Sequence, residues 1–204
     1  MPGDPNGEDD RPLAHLTPAA HEVLAAAVDR LIPPDRSLGA PGARAAGVAD
    51  YIDQLLGAFT FDPPRVFGGG PFSGRHGGAA SFGTFLPLGR VEEVAWRTRI
   101  EGSQGVAERE RNGPVVGWQE QYRAGLGALG DDFATAPEAE QDRRLDAVPD
   151  FKALLYDHAC EGMYGDPVYG GNRDGVAWRF IEFAGDVLPR GWTDVEVRRG
   201  PGEG

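Results

Sequence analysis

The residue types best suited to metal binding cluster in the C-terminal part of the chain, at Asp157, His158 and Glu161. His158 and Glu161 stand three positions apart, which puts both side chains on one face of a helix. Helical di-iron sites repeat a Glu-x-x-His pair on two helices and add further glutamates. Here the order is reversed and no second copy occurs. We therefore interpret His158 as a hydrogen-bonded core residue, with a stand-alone metal-binding enzyme as the alternative.

Other catalytic motifs are incomplete. Ser103 is flanked by glycines, but Glu101 stands where the first glycine of a nucleophile elbow belongs. The triple glycine at 68–70 lacks the Gly-Lys of a phosphate-binding loop, and the only lysine is Lys152. The single cysteine, Cys160, has no Cys-x-x-Cys partner, so we expect it to pack as a small hydrophobe. We predict no catalytic residue and no cofactor site in this chain.

The densest local signal is the segment 161–174, which combines glycines, tyrosines and charged residues between two helical patterns. One interpretation is structural: Asp166 starts a turn, the glycines at 170–171 adopt positive φ, and Asp174 caps the next helix. The other is functional, because Tyr164, Tyr169 and Arg173 are residue types enriched at interface anchors. The two interpretations are compatible.

Two N-terminal segments have the spacing of amphipathic helices. Thr17 and Pro18 predict a helix start, and the double proline at 33–34 predicts its end. A second helix is predicted over Val48–Phe59, with an apolar face and with Asp53 on the opposite, polar face.

Helical patterns also cover 91–100 and 115–129. A capping box at 135–138 predicts another helix start, Asp150 predicts a cap for the next helix, and a last helix is predicted over 174–183. Between 60 and 89, phenylalanines are scattered among glycine and proline, which is typical of a long loop with aromatic anchors such as Phe67 and Phe72.

The predicted fold is all-α, a single irregular helical domain with a long loop rich in Gly, Pro and aromatic residues. We predict a disordered N-terminal segment over 1–14, the helical domain over 15–185, and a polar C-terminal tail over 186–204. The single candidate for a strand is 195–197. A length of 204 residues with 31 glycines and 17 prolines fits one domain carrying long irregular segments.

The charge balance argues against several classes of partner. The formal net charge is -12, and such a surface repels both nucleic acid and anionic lipid. Residues 1–11 are polar and acidic without an apolar core, so we expect neither a signal peptide nor membrane insertion. These features predict a cytoplasmic protein.

The C-terminal signal resembles that of a known family. Residues 161–174, with Trp178 and Ile181, are similar to the C-terminal signature of the gluconate 2-dehydrogenase subunit 3 family. The resemblance extends to the segments 16–33, 47–53, 70–72 and 122–126.

This resemblance implies a non-catalytic small subunit that assists a larger dehydrogenase. The implied partner is a flavoprotein of the glucose–methanol–choline type, which holds FAD and oxidises a sugar or related alcohol, in some complexes with a cytochrome c. A transient folding chaperone for the flavoprotein is a further alternative. Many family members carry a twin-arginine export signal and this sequence shows none, which favours a cytoplasmic pair. The residues predicted at the partner interface are Tyr164, Asp166, Tyr169, Asn172, Arg173, Phe67 and Phe72.

Overall fold

The computed structural model describes residues 12–66 and 87–183. Over these residues the fold is all-α, as predicted, and no β-strand is present there. Phe67, Phe72 and the candidate strand at 195–197 lie outside the described residues. The helices are α1 (Pro18–Leu31), α2 (Val48–Leu56), α3 (Arg90–Glu101), α4 (Trp118–Leu129), α5 (Glu138–Asp146), α6 (Pro149–Tyr164) and α7 (Val176–Phe180).

Helix α1 is the central element of the fold and packs against α2, α4, α5 and α6. Its start confirms the sequence prediction, because Thr17 Oγ1 accepts a hydrogen bond of 3.2 Å from the Ala20 N–H. Leu24 and Val28 are completely buried on its inner face. The core therefore forms around this helix, with Ile52 from α2 and Leu155 from α6.

Helix α2 ends three residues before the predicted Phe59 and is followed by a 3-10 turn over Ala58–Thr60. Gly57 ends the helix where the chain passes close to Ala14, since a Cβ on Gly57 would lie 2.5 Å from the Ala14 Cβ. The prediction that Asp53 faces solvent is wrong, because its side chain is 2% exposed. Its carboxylate accepts hydrogen bonds from the backbone N–H groups of residues 14, 15 and 16 at 2.5, 3.0 and 2.7 Å.

Helix α4 begins at Trp118 rather than at Val115. The segment before it is held by Ser103, which accepts a hydrogen bond of 2.9 Å from the Val115 N–H. The Ser103 N–H in turn donates to the Val115 carbonyl at 3.0 Å. Ser103 is thus a buried structural residue that holds Val115 in place.

Three of the predicted helix caps are wrong. Thr135 donates its hydroxyl to the Asp132 carbonyl at 3.0 Å instead of capping α5, which begins after Pro137. Asp150 lies inside the first turn of α6, and that helix begins at Pro149. The last helix is shorter than predicted, because Asp174 has a φ of 55° and belongs to a 3-10 turn before α7.

Candidate partner interface

Asn172 lies at the centre of the turn between α6 and α7 and is completely buried. Its backbone N–H donates to the Gly162 carbonyl at 2.7 Å, and Nδ2 donates to the Gly165 carbonyl at 3.0 Å. Oδ1 accepts from the Ala177 N–H at 3.0 Å. Asn172 thus provides the capping contact that the sequence had assigned to Asp174, and it joins the end of α6 to the start of α7.

The glycines of this turn allow backbones to approach closely. A Cβ on Gly171 would lie 2.2 Å from the Gly162 carbonyl oxygen, and a Cβ on Gly162 would lie 2.7 Å from the Tyr51 ring. Asp166 is 9% exposed and its Oδ1 accepts from the Val168 N–H at 2.9 Å, which confirms the predicted turn start. The turn is therefore packed tightly onto α2 and α6.

Arg173 connects the turn to α2. Its backbone N–H donates to the Ala46 carbonyl at 3.0 Å, and its guanidinium forms an ion pair with Asp50. Asp50 also accepts a hydrogen bond of 2.9 Å from His21 Nε2 of α1. This hydrogen bond to a carboxylate raises the pKa of His21 above its usual value. The Arg173 side chain remains 46% exposed, so one part of it bonds within the chain while the rest faces solvent.

The two tyrosines of the turn differ in exposure. Tyr164 is 43% exposed at the end of α6, and its carbonyl accepts a hydrogen bond of 2.7 Å from Trp178 Nε1. Tyr169 is half-buried and lines an apolar pocket of about 190 Å³ with Tyr51, Leu55 and Trp96. Tyr164 presents its ring directly to solvent, whereas Tyr169 forms the wall of a recess.

Large apolar side chains are exposed beside the turn, on α6, at the last residue of α7 and in the segment just after it, and we call this set the aromatic face. Its members are Tyr156, Tyr164, Phe180, Ile181 and Phe183, each between 40% and 50% exposed. Of this set, only Tyr164 is among the interface residues predicted from the sequence. The spacing of Tyr156 and Tyr164 was an available signal, because residues eight apart lie on one face of a helix.

The three residues of the metal-site alternative, Asp157, His158 and Glu161, differ in their burial and in their hydrogen-bond partners. His158 is 3% exposed, and its Nδ1 shares a hydrogen bond of 2.9 Å with the Tyr122 hydroxyl. Burial lowers the pKa of His158, which favours the neutral ring. Asp157 is exposed, and Glu161 accepts a hydrogen bond of 2.8 Å from the Tyr51 hydroxyl. Over 12–66 and 87–183, no group of three or more His, Cys, Asp or Glu side chains could hold a metal ion.

The comparison with protein families decides which family this is. The family model described as gluconate 2-dehydrogenase subunit 3 matches residues 18–185 of this chain. The chain belongs to the gluconate 2-dehydrogenase subunit 3 family. Neither the comparison with curated proteins nor the comparison with solved structures gave a match. No helix in the described part of this family member is both long and apolar enough to cross a membrane.

Proposed function

We propose that this chain is a non-catalytic accessory subunit that binds and stabilises a larger FAD-dependent dehydrogenase of the glucose–methanol–choline type. The dehydrogenase subunit would hold the FAD and oxidise a sugar or a related alcohol, and a cytochrome c is a further candidate partner. The family description supports this proposal, because it names a numbered subunit of a dehydrogenase.

The observation that carries the proposal is the exposed aromatic face next to the turn. Soluble monomers rarely leave a large apolar patch in water, and such patches commonly mark binding surfaces. Tyrosine and arginine are enriched among the few residues that dominate binding energy. Tyr164 and Arg173 combine this chemistry with 43% and 46% exposure, respectively.

The seven residues predicted at the interface divide into two roles in this proposal. Asp166 and Asn172 are buried and would maintain the shape of the turn. The side chains proposed to contact the partner are Tyr164, Tyr169 and Arg173. Phe67 and Phe72 belong to the same proposal but lie outside the described residues.

The test is the affinity of single variants for a purified FAD-dependent dehydrogenase of the glucose–methanol–choline type from the same organism. Tyr164→Ala is expected to weaken binding by about 30-fold, since truncating a hot-spot residue costs about 2 kcal/mol or more. Leu38→Ala is the matched control, because Leu38 is 70% exposed and lies in a loop outside the aromatic face. Equal affinity of both variants would contradict the proposed interface.

A transient chaperone would give a different result in gel filtration of the mature dehydrogenase. In that case the dehydrogenase would bind this chain while folding and release it once FAD is incorporated. We expect instead that the two subunits stay together through gel filtration of the mature, flavin-loaded enzyme.

A further inference from the structure

Two arginines of α3, Arg97 and Arg99, have different surroundings although they stand two positions apart. The guanidinium of Arg97 donates hydrogen bonds to Glu93 and Glu101, one turn away on either side, at 2.8 and 2.7 Å. Helix α3 gives Arg99 no acidic neighbour, because side chains three and four positions apart are the ones that meet on a helix surface. At those positions stand Ala95, Trp96, Gly102 and Ser103.

The side chain of Arg99 is exposed, and within 12–66 and 87–183 it forms neither an ion pair nor a hydrogen bond. Its guanidinium is held by two tryptophan rings instead. Cζ of Arg99 lies 5.4 Å from the ring centroid of Trp96 and 5.7 Å from that of Trp118. Both distances fall within the range of cation–π contacts.

The two rings are themselves held in place. Trp96 and Trp118 are half-buried and meet edge to face, at a centroid distance of 6.4 Å and an angle of 65°. Trp118 also contacts the ring of the buried His158 at 4.5 Å. A guanidinium that already rests on fixed rings loses less conformational entropy when it binds a further group.

The chemistry of Arg99 indicates which group that is. A guanidinium has five N–H donors and no acceptor, and its planar fork matches a carboxylate or a phosphate. The net charge of -12 argues against the phosphates of nucleic acid and of lipid. A carboxylate on a protein partner therefore fits best, because Arg–carboxylate pairs form two parallel hydrogen bonds.

Trp96 connects Arg99 to the surface already proposed for the dehydrogenase. Its ring faces the Arg99 guanidinium, and it also lines the apolar recess of about 190 Å³ that Tyr169 lines. A partner in contact with Tyr169 would come close to Arg99 and replace water around it. Removal of water strengthens the attraction between opposite charges.

We propose that Arg99 binds an Asp or Glu side chain of the dehydrogenase subunit, while Trp96 and Trp118 hold its guanidinium in position. This inference rests on the proposed accessory function and extends the interface from the turn to α3. It also names the chemistry of the partner's surface, which must carry a carboxylate at this point. An acidic side chain from a second copy of this chain is the competing occupant.

The test is Arg99→Gln in the full chain, measured for affinity to the same purified dehydrogenase. Loss of a charged hydrogen-bonding partner at an interface should weaken binding by about tenfold or more. Arg36→Gln is the matched control, because Arg36 is equally charged and exposed but has no ring contact or ion pair in the described part of the chain. Both variants are expected to melt close to the wild-type temperature, since both side chains are exposed.

Arg99→Lys separates charge from shape. Lysine keeps the positive charge but lacks the planar fork, so this variant should bind more weakly than the wild type and more tightly than Arg99→Gln. Salt gives a second readout, because screening weakens an ion pair. The affinity of Arg99→Gln should fall less with added salt than the affinities of the wild type and Arg36→Gln.

The outcomes separate this inference from the proposed function. Equal affinities of Arg99→Gln and Arg36→Gln, with weakened affinity of Tyr164→Ala, would overturn the role of Arg99 and leave the accessory function standing. Absence of binding by the wild type would overturn both. A wild-type dimer that Arg99→Gln converts to a monomer would assign Arg99 to a second copy and overturn its role toward the dehydrogenase.

Discussion

His158 shows how one buried side chain contributes to packing and polarity at once. Its ring stacks on Tyr122 at 5.7 Å and meets the edge of Trp118 at 4.5 Å, while Nδ1 shares a hydrogen bond with the Tyr122 hydroxyl. Replacing it by alanine removes packed atoms and leaves a buried hydroxyl without this partner. Both losses act on stability rather than on chemistry.

We expect His158→Ala to lower the free energy of unfolding by about 1–3 kcal/mol, without changing the turnover of the dehydrogenase in a folded complex. Asp157→Ala is the control, because that neighbouring side chain is exposed. Thermal denaturation and turnover are measured on the same preparations. Normal stability with abolished turnover would show that His158 has a catalytic role.

The same histidine makes stability depend on pH. Burial lowers the folded-state pKa of His158 below 6.5, so the unfolded chain binds more protons as the solution becomes acidic. Stability is therefore lost as pH falls through the unfolded value of about 6.5. His21 has the opposite sign, because the hydrogen bond to Asp50 raises its pKa and its contribution is lost as pH rises through the folded value.

Urea denaturation between pH 5 and 8 measures both effects. His158→Gln should lose less stability than the wild type on acidification. His21→Gln should lose more than the wild type, because it lacks the stabilising protonated His21–Asp50 pair. Parallel stability curves for the wild type and both variants would contradict these assignments.

At the scale of elements, the turn between α6 and α7 is held by Asn172 and connected to α2 by Arg173. Asn172→Ala removes two side-chain hydrogen bonds from a completely buried position. It is expected to cost about 2–3 kcal/mol of stability, at about 1 kcal/mol for each bond with a further cost for the groups left unpaired. Asn172→Asp keeps Oδ1 and loses the Nδ2 donor, so it should fall between the wild type and Asn172→Ala in chemical denaturation.

Arg173→Ala tests whether the turn also contacts the dehydrogenase. The ion pair with Asp50 is partly exposed, and such pairs contribute about 0–1 kcal/mol. We expect weaker association with the dehydrogenase and a small change in melting temperature. Unchanged affinity with a large drop in melting temperature would mean that Arg173 is only structural.

The element boundaries show what the sequence could and could not predict. The start of α1 was predictable because Thr17 and Pro18 act locally, within one turn of the helix. The burial of Asp53 was not, since its partners lie 37 to 39 residues away in the chain. Asp174 has the chemistry of a cap, but Asn172 adopts the geometry that reaches Ala177. Long-range contacts decided the burial of Asp53, whereas the geometry of the turn itself decided which residue reaches Ala177.

Asp53 also gives a prediction for the N-terminal segment. Asp53→Ala removes the acceptor of three backbone N–H groups and is expected to lower stability by about 2 kcal/mol or more. Asp53→Asn retains one acceptor oxygen and should be affected less. Limited proteolysis near Ala14 would rise in Asp53→Ala if the contact holds this segment. Equal cleavage in the wild type and the variant would contradict that role.

For the whole molecule, composition and family resemblance gave the fold class and the family, because helical spacing and the C-terminal signature are local in sequence. The aromatic face was predictable only in part. The eight-residue spacing of Tyr156 and Tyr164 is a local pattern, whereas the exposure of Phe180, Ile181 and Phe183 depends on how the end of the helical domain packs. Under the proposed accessory role, the dehydrogenase subunit would cover the aromatic face.

The most direct test of the accessory role is to express this chain alone and together with an FAD-dependent dehydrogenase of the glucose–methanol–choline type from the same organism. The mass and the flavin absorbance of the purified products are then measured. We expect the chain alone to be colourless and inactive in sugar-dependent dye reduction. The co-expressed pair should elute as one complex with FAD bound to the dehydrogenase, which should be less stable without this chain. Flavin or dehydrogenase activity in the isolated chain, or two subunits that elute separately, would contradict the account.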